Sequence, residues 1–122
     1  MKALAGRRIL IVEDEALIAL ELEDLLQDLG CEVVGPVARV DAVLDCIEAG
    51  RVDGALLDVN LRGQQIFEVL PKVIEQGLPV IITSGYNDST LFPEPFRTVP
   101  RISKPFDHAA LRRLCVAIFS KT

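Results

Sequence analysis

GALLDVNLRG, Gly54–Gly63, is the stretch on which the fold turns. Small and apolar residues run unbroken into a carboxylate, and an amide and a glycine follow. A continuous apolar run bounded by turn residues reads as a strand buried on both faces, the pattern of a parallel sheet. Taken as VDGALLDV, this strand ends in Asp58, and open α/β sheets bind their ligands beyond the carboxyl ends of their strands.

Upstream, RRILIV (Arg7–Val12) is a second buried strand. EDEALIALELEDLLQDLG then changes period. Leu17, Leu20, Leu25 and Leu29, with Ala16, Ile18 and Leu22 beside them, recur at helical spacing, and Gly30 closes the helix. CEVVGP is a short strand, and RVDAVLDCIEAG a helix with Val43, Leu44 and Ile47 inward. Downstream, QQIFEVLPKVIEQG reads as a helix that Pro71 kinks or splits. LPVIITSGY and RISKPF are strands. DHAALRRLCVAIFS is a last helix, N-capped by Asp107, with Leu111, Leu114, Val116, Ile118 and Phe119 apolar. Alternating strands and helices predict an α/β fold, a three-layer open sheet of five parallel strands in one domain, residues 1–122. The exception is NDSTLFPEPFRTVP, where Pro93, Pro95 and Pro100 predict an irregular loop in place of the fourth helix. At most one helical turn is expected early in it, with Leu91, Phe92 and Phe96 exposed.

A chain of 122 residues that is 50% hydrophobic and 25% charged is globular. Its net charge of -5 argues against a nucleic-acid partner. The only adjacent basic pairs, Arg7-Arg8 and Arg112-Arg113, read as solvated surface charge. Cys31, Cys46 and Cys115 match no zinc spacing and read as free thiols. The apolar run in MKALAGRRILIVEDE is too short for a signal peptide, and no stretch reaches the roughly 20 apolar residues that cross a bilayer. A cytoplasmic protein with no membrane partner is expected.

The strand ends collect polar residues: Glu13 and Asp14 after the first, Asp58 after the third, Thr83 and Ser84 on the fourth, Lys104-Pro105 after the fifth. Three crowded carboxylates repel one another, and burial adds to the cost. A hard cation relieves both. Mg²⁺ suits the set, because it takes a few carboxylates, keeps waters and leaves room for a phosphate oxygen. Asn60 is placed to lend a backbone carbonyl. With Lys104 as a point charge and the Thr83 hydroxyl as a donor, Asp58 can act as a nucleophile toward phosphorus.

ILIVEDE, LLDVNLRG, VIITSGY and KPF, each at the end of its own strand, resemble in order and spacing the receiver domain of two-component response regulators. The resemblance covers essentially the whole chain. It implies a flavodoxin-like sheet of order 2-1-3-4-5. It implies that Asp58 accepts a phosphoryl group from a histidine of a sensor kinase or phosphotransfer protein. Asp14 would ligate Mg²⁺ directly, Glu13 through water and Asn60 through its carbonyl. Thr83, with Ser84 beside it, would be the switch hydroxyl, Lys104 the phosphate-binding lysine, and Pro105 the proline that follows through a cis bond. Two departures stand out. Arg101 occupies the position of the usual switch aromatic, which leaves Tyr86, Phe92 and Phe96 as switch or interface candidates. The Thr83…Tyr86 pattern loosely resembles FATGUY-type receivers, in which the fourth helix is missing or unstable.

The leading expectation is a stand-alone receiver, not a turnover enzyme, whose output is contact with a downstream protein or a phosphorylation-dependent dimer. It could also be a shuttle or sink in a phosphorelay. Two alternatives have specific grounds. Arg101 and the altered loop suggest a pseudo-receiver that binds partners without being phosphorylated. The Mg²⁺ and aspartate pairing suggests a phosphohydrolase, although Asn60 stands where such enzymes carry a second acid.

Overall fold

The computed structural model describes residues 2–85 and 93–120. Five parallel strands form the central sheet: β1 (Arg8–Val12), β2 (Glu32–Val37), β3 (Gly54–Asp58), β6 (Val80–Ser84) and β7 (Arg101–Ser103), in the order β2-β1-β3-β6-β7. Between β3 and β6 lies a two-stranded antiparallel hairpin, β4 (Asn60–Leu61) with β5 (Gln64–Gln65). Setting the hairpin aside, the order is the expected 2-1-3-4-5.

Alternation along each strand divides the core into two layers. Ile9, Ile11, Leu56 and Ile81 face α1 (Ala16–Asp28) and α4 (His108–Phe119). Leu10, Val12, Ala55, Leu57 and Ile82 face α2 (Val43–Ala49) and α3 (Leu70–Glu75). All five β3 residues are buried, as the unbroken apolar run requires. At its start a side chain on Gly54 would sit 2.5 Å from the Phe119 ring, so glycine is the residue that fits. Asp107 caps α4 by accepting from the Ala110 N–H. The three cysteines are free.

Four expectations need correction. On α1, Leu17 and Leu20 are 82% and 52% exposed. The helix has more apolar residues than one face can bury, and Ala19, Leu22, Leu25 and Leu26 take the inner positions. The helix read over QQIFEVLPKVIEQG is three elements: β5, a 3-10 turn over Ile66–Glu68, and α3. Pro71 falls in the first turn of α3, where its missing N–H costs nothing. Arg7 is not surface charge, since its Nε donates to the Phe119 carbonyl at 2.8 Å. In the proline-rich connection the early part, where a helical turn is expected, lies outside the described residues, which hold a 3-10 turn over Glu94–Phe96. There Phe96 is half-buried and stacks on Phe67, centroids 5.6 Å apart, so it is not an exposed loop side chain. Tyr86, Leu91 and Phe92 lie outside the described residues.

Candidate functional site

The parallel register brings the strand-end residues together. Asp58 pairs with Thr83 across β3 and β6, and the Val59 N–H donates to the Thr83 carbonyl at 2.9 Å. The Lys104 N–H donates to the Ser84 carbonyl at 2.8 Å, which fixes where the lysine leaves β7. Its Nζ then reaches back to Asp58 Oδ2 at 3.1 Å and Glu13 Oε1 at 2.9 Å. The Lys104–Pro105 bond is cis. Glu13 and Asp58 are buried, and Asp14 is half-buried at the rim. One oxygen from each of the three carboxylates lies within 4.8 Å of the others.

Charge is incompletely balanced here. Burial pushes the Glu13 carboxyl up to about 7 against the pull of Lys104, and the nearby Asp58 charge adds to the rise. Burial also raises Asp58, again opposed by Lys104. Burial works against the Lys104 ammonium, but the two carboxylates outweigh it and hold its pKa above the ordinary value. Two buried oxygens, Thr83 Oγ1 and Glu13 Oε1, have no hydrogen-bond partner; the close approach of Lys104 to Glu13 Oε1 is an ion pair without good alignment. Unsatisfied buried oxygens are uncommon enough to call for a cause. A hard cation and an anion with donor-seeking oxygens answer both, and an all-oxygen carboxylate set fits Mg²⁺.

The hairpin orients Asn60. The Ile66 N–H donates to the Val59 carbonyl at 2.8 Å, while the Val59 N–H is taken by Thr83. Asn60 and Gln65 face each other across the hairpin. The Asn60 N–H turns back to donate to Asp58 Oδ1 at 3.3 Å. Sequence reasoning missed the Arg62 N–H, which donates to Asp14 Oδ2 at 2.9 Å. Polar two-residue strands carry no periodicity to read; an Arg-Gly step after an apolar run was the one available signal. Arg101 lies on β7, exposed and paired in register with Ile82. Phe96 packs against the α3 side of the core, away from these carboxylates.

A doubly wound sheet with three carboxylates, a hydroxyl and a lysine at its carboxyl edge has the architecture of a receiver-type signalling domain. The family model for the response regulator receiver domain matches residues 9–115, and the chain belongs to this family. Its sequence is 37% identical over 106 residues to the phyllosphere-induced regulator PhyR of Methylorubrum extorquens, covering 83% of this chain and 39% of that protein. The chain spans less than half the length of the curated relatives it matches, PhyR among them. Among solved structures, SdrG from Sphingomonas melonis Fr1 is 38% identical with a TM-score of 0.82, over 97% of this chain and 98% of that one. Its BeF3-activated conformation gives 37% and 0.77, over 93% and 98%. Among the described residues, no helix is long and apolar enough to cross a membrane.

Proposed function

We propose that Asp58 accepts a phosphoryl group from a phosphohistidine of a sensor kinase or phosphotransfer protein. One observation carries this reading: a buried Asp58 held by Lys104 at 3.1 Å beside two more carboxylates and an unpartnered Thr83 hydroxyl. An Asp58 oxygen attacks phosphorus, the P–N bond breaks, and its electron pair returns to the imidazole nitrogen. Lys104, already against Asp58, pairs with a phosphoryl oxygen, and the Thr83 hydroxyl turns to donate to another. Asp14, Asp58 and the Asn60 carbonyl would hold Mg²⁺ directly, with Glu13 acting through water. The ion supplies charge neutralisation on the transferring oxygens. Activation of SdrG by BeF3 is consistent with this chemistry in a relative of nearly the same length.

The shift of Thr83 and Lys104 would bias the surface around β6 and β7, making the output a protein contact or a dimer formed on phosphorylation. The chain is then a cytoplasmic signalling element that binds neither nucleic acid nor membrane, and it is not a turnover enzyme. Incubation with Mg²⁺ and acetyl phosphate should add one phosphoryl group by intact mass, and Asp58→Asn should add none. Equal labelling of Asp58→Asn would end the assignment. Arg101 in the switch position keeps one competing reading, a pseudo-receiver; absence of both Mg²⁺ affinity and labelling would favour it. Turnover of p-nitrophenyl phosphate beyond one equivalent would point instead to a phosphohydrolase.

A further inference from the structure

We infer that the tip of the β4–β5 hairpin is a positioning device for Asp14, acting through the backbone N–H of Arg62 and not through its side chain. The inference rests on reading the carboxylate cluster as a Mg²⁺ site. The three carboxylates are held differently. Glu13 accepts from the Glu15 N–H at 3.1 Å and faces Lys104, and Asp58 accepts from the Asn60 N–H and from Lys104. Asp14 sits at the rim, and among the described residues its carboxylate takes one hydrogen bond, from Arg62. That bond uses Oδ2 and leaves Oδ1 open for ligation, since an ionised carboxylate offers about four acceptor sites.

The hairpin is built to present this N–H. Arg62 and Gly63 have φ of 51° and 86°, positive at both turn positions as in a type I′ two-residue hairpin. The first turn residue donates nothing to the ladder in such a hairpin, so its N–H is available outward. Leu61, fully buried, and the Ile66–Val59 bond root the hairpin in the core. The donor therefore belongs to a fixed frame 48 positions along the chain from its acceptor. Restricting the Asp14 carboxylate before the ion arrives removes part of the ordering cost of binding. Coupling of this kind is reciprocal, so Mg²⁺ should also steady the hairpin tip.

Replacing the Leu61–Arg62 amide by an ester deletes the N–H and leaves every side chain in place. Gly63→Val disfavours the turn through its positive φ, although an added Cβ would meet nothing within 4 Å. Arg62→Asn removes the guanidinium and keeps a residue that tolerates the left-handed region. With Mg²⁺ affinity measured by calorimetry, the ester and Gly63→Val should weaken binding about 3- to 10-fold, the range that one hydrogen bond commands. Arg62→Asn should stay within about 2-fold. In metal-free protein the Arg62 amide resonance should shift and exchange faster in Asp14→Ala. Wild-type affinity in the ester variant, or an Arg62→Asn loss as large as that of the ester, would overturn the inference. Should Gly63→Val fail to fold, the ester decides. If the wild type binds no Mg²⁺, the metal-site reading falls and takes this inference with it. If the wild type binds and the ester binds equally well, the inference alone fails.

Discussion

At the amino end of β3, Asp53 accepts a hydrogen bond from the Arg8 N–H at 2.8 Å, and its own N–H donates to the Arg8 carbonyl at 2.7 Å. The Phe119 ring closes over Gly54, and Arg7 spans the gap between Asp53 and the Phe119 carbonyl. At the carboxyl end, Asp58 shares one lysine with Glu13, Asp14 adds a third carboxylate, and Thr83 Oγ1 is left without a partner. Both ends bring acids and bases together. At the amino end these groups find partners and the strand is packed shut. At the carboxyl end negative charge exceeds positive and polar atoms are left over. A carboxylate that completes a local network stabilises the fold; one that strains it is available for chemistry.

The contrast breaks most visibly with pH. Glu13 holds its proton more tightly in the folded protein, up to about 7 against an ordinary 4.5, and Asp58 shifts in the same direction. The folded state therefore carries more protons than the unfolded chain between those values, so stability is full at the acidic end and is lost as pH rises through them. Without metal, the melting temperature should fall between about pH 4.5 and about pH 7, reflecting a loss on the order of 3 kcal/mol from Glu13. Saturating Mg²⁺ should flatten the slope. A metal-free melting temperature that rises across this window would contradict the strained-site picture.

Next in size, Gly54→Ala drives a methyl into the Phe119 ring and should cost about 1–3 kcal/mol in urea unfolding, with Mg²⁺ binding retained. The sharpest form of the comparison is a matched pair. Asp53→Asn breaks a satisfied network and should lose about 1 kcal/mol, whereas Asp58→Asn relieves a buried charge and should leave metal-free protein equal or more stable by a similar amount near pH 8. Losses of the same sign and size would erase the distinction between the two ends. Smallest of all, Arg112→Ala breaks the exposed pair with Asp28 and should leave the urea midpoint essentially unchanged.

The sheet and the site carboxylates were legible because two-sided burial demands continuous apolar runs, and a charge ending such a run stands out. Glu13, Asp14, Asp58, Thr83 and Lys104 converge as their strand-end positions require. The hairpin was not legible: Gln64 and Gln65 are paired through backbone atoms, and nothing in the arginine side chain announces a positive φ at Arg62. Leu17 and Leu20 misled because spacing alone does not say which of two apolar stripes on a helix meets the sheet. Phe96 misled because its partner, Phe67, is distant in sequence and on a segment misread as helix.

Lys104 hangs from the Ser84 carbonyl, Thr83 from the Asp58 register, and Asp58 from β1 and β6 on either side. The groups at the carboxyl edge thus inherit their spacing from the strand ladder, about 4.8 Å from one strand to the next, and not from the connections that follow. Divergence can then act on those connections without retuning the chemistry. A lineage is free to rebuild the segment between β6 and β7 around prolines, or to shorten the loop after β3 to a tight hairpin, and so to change which partners it recognises.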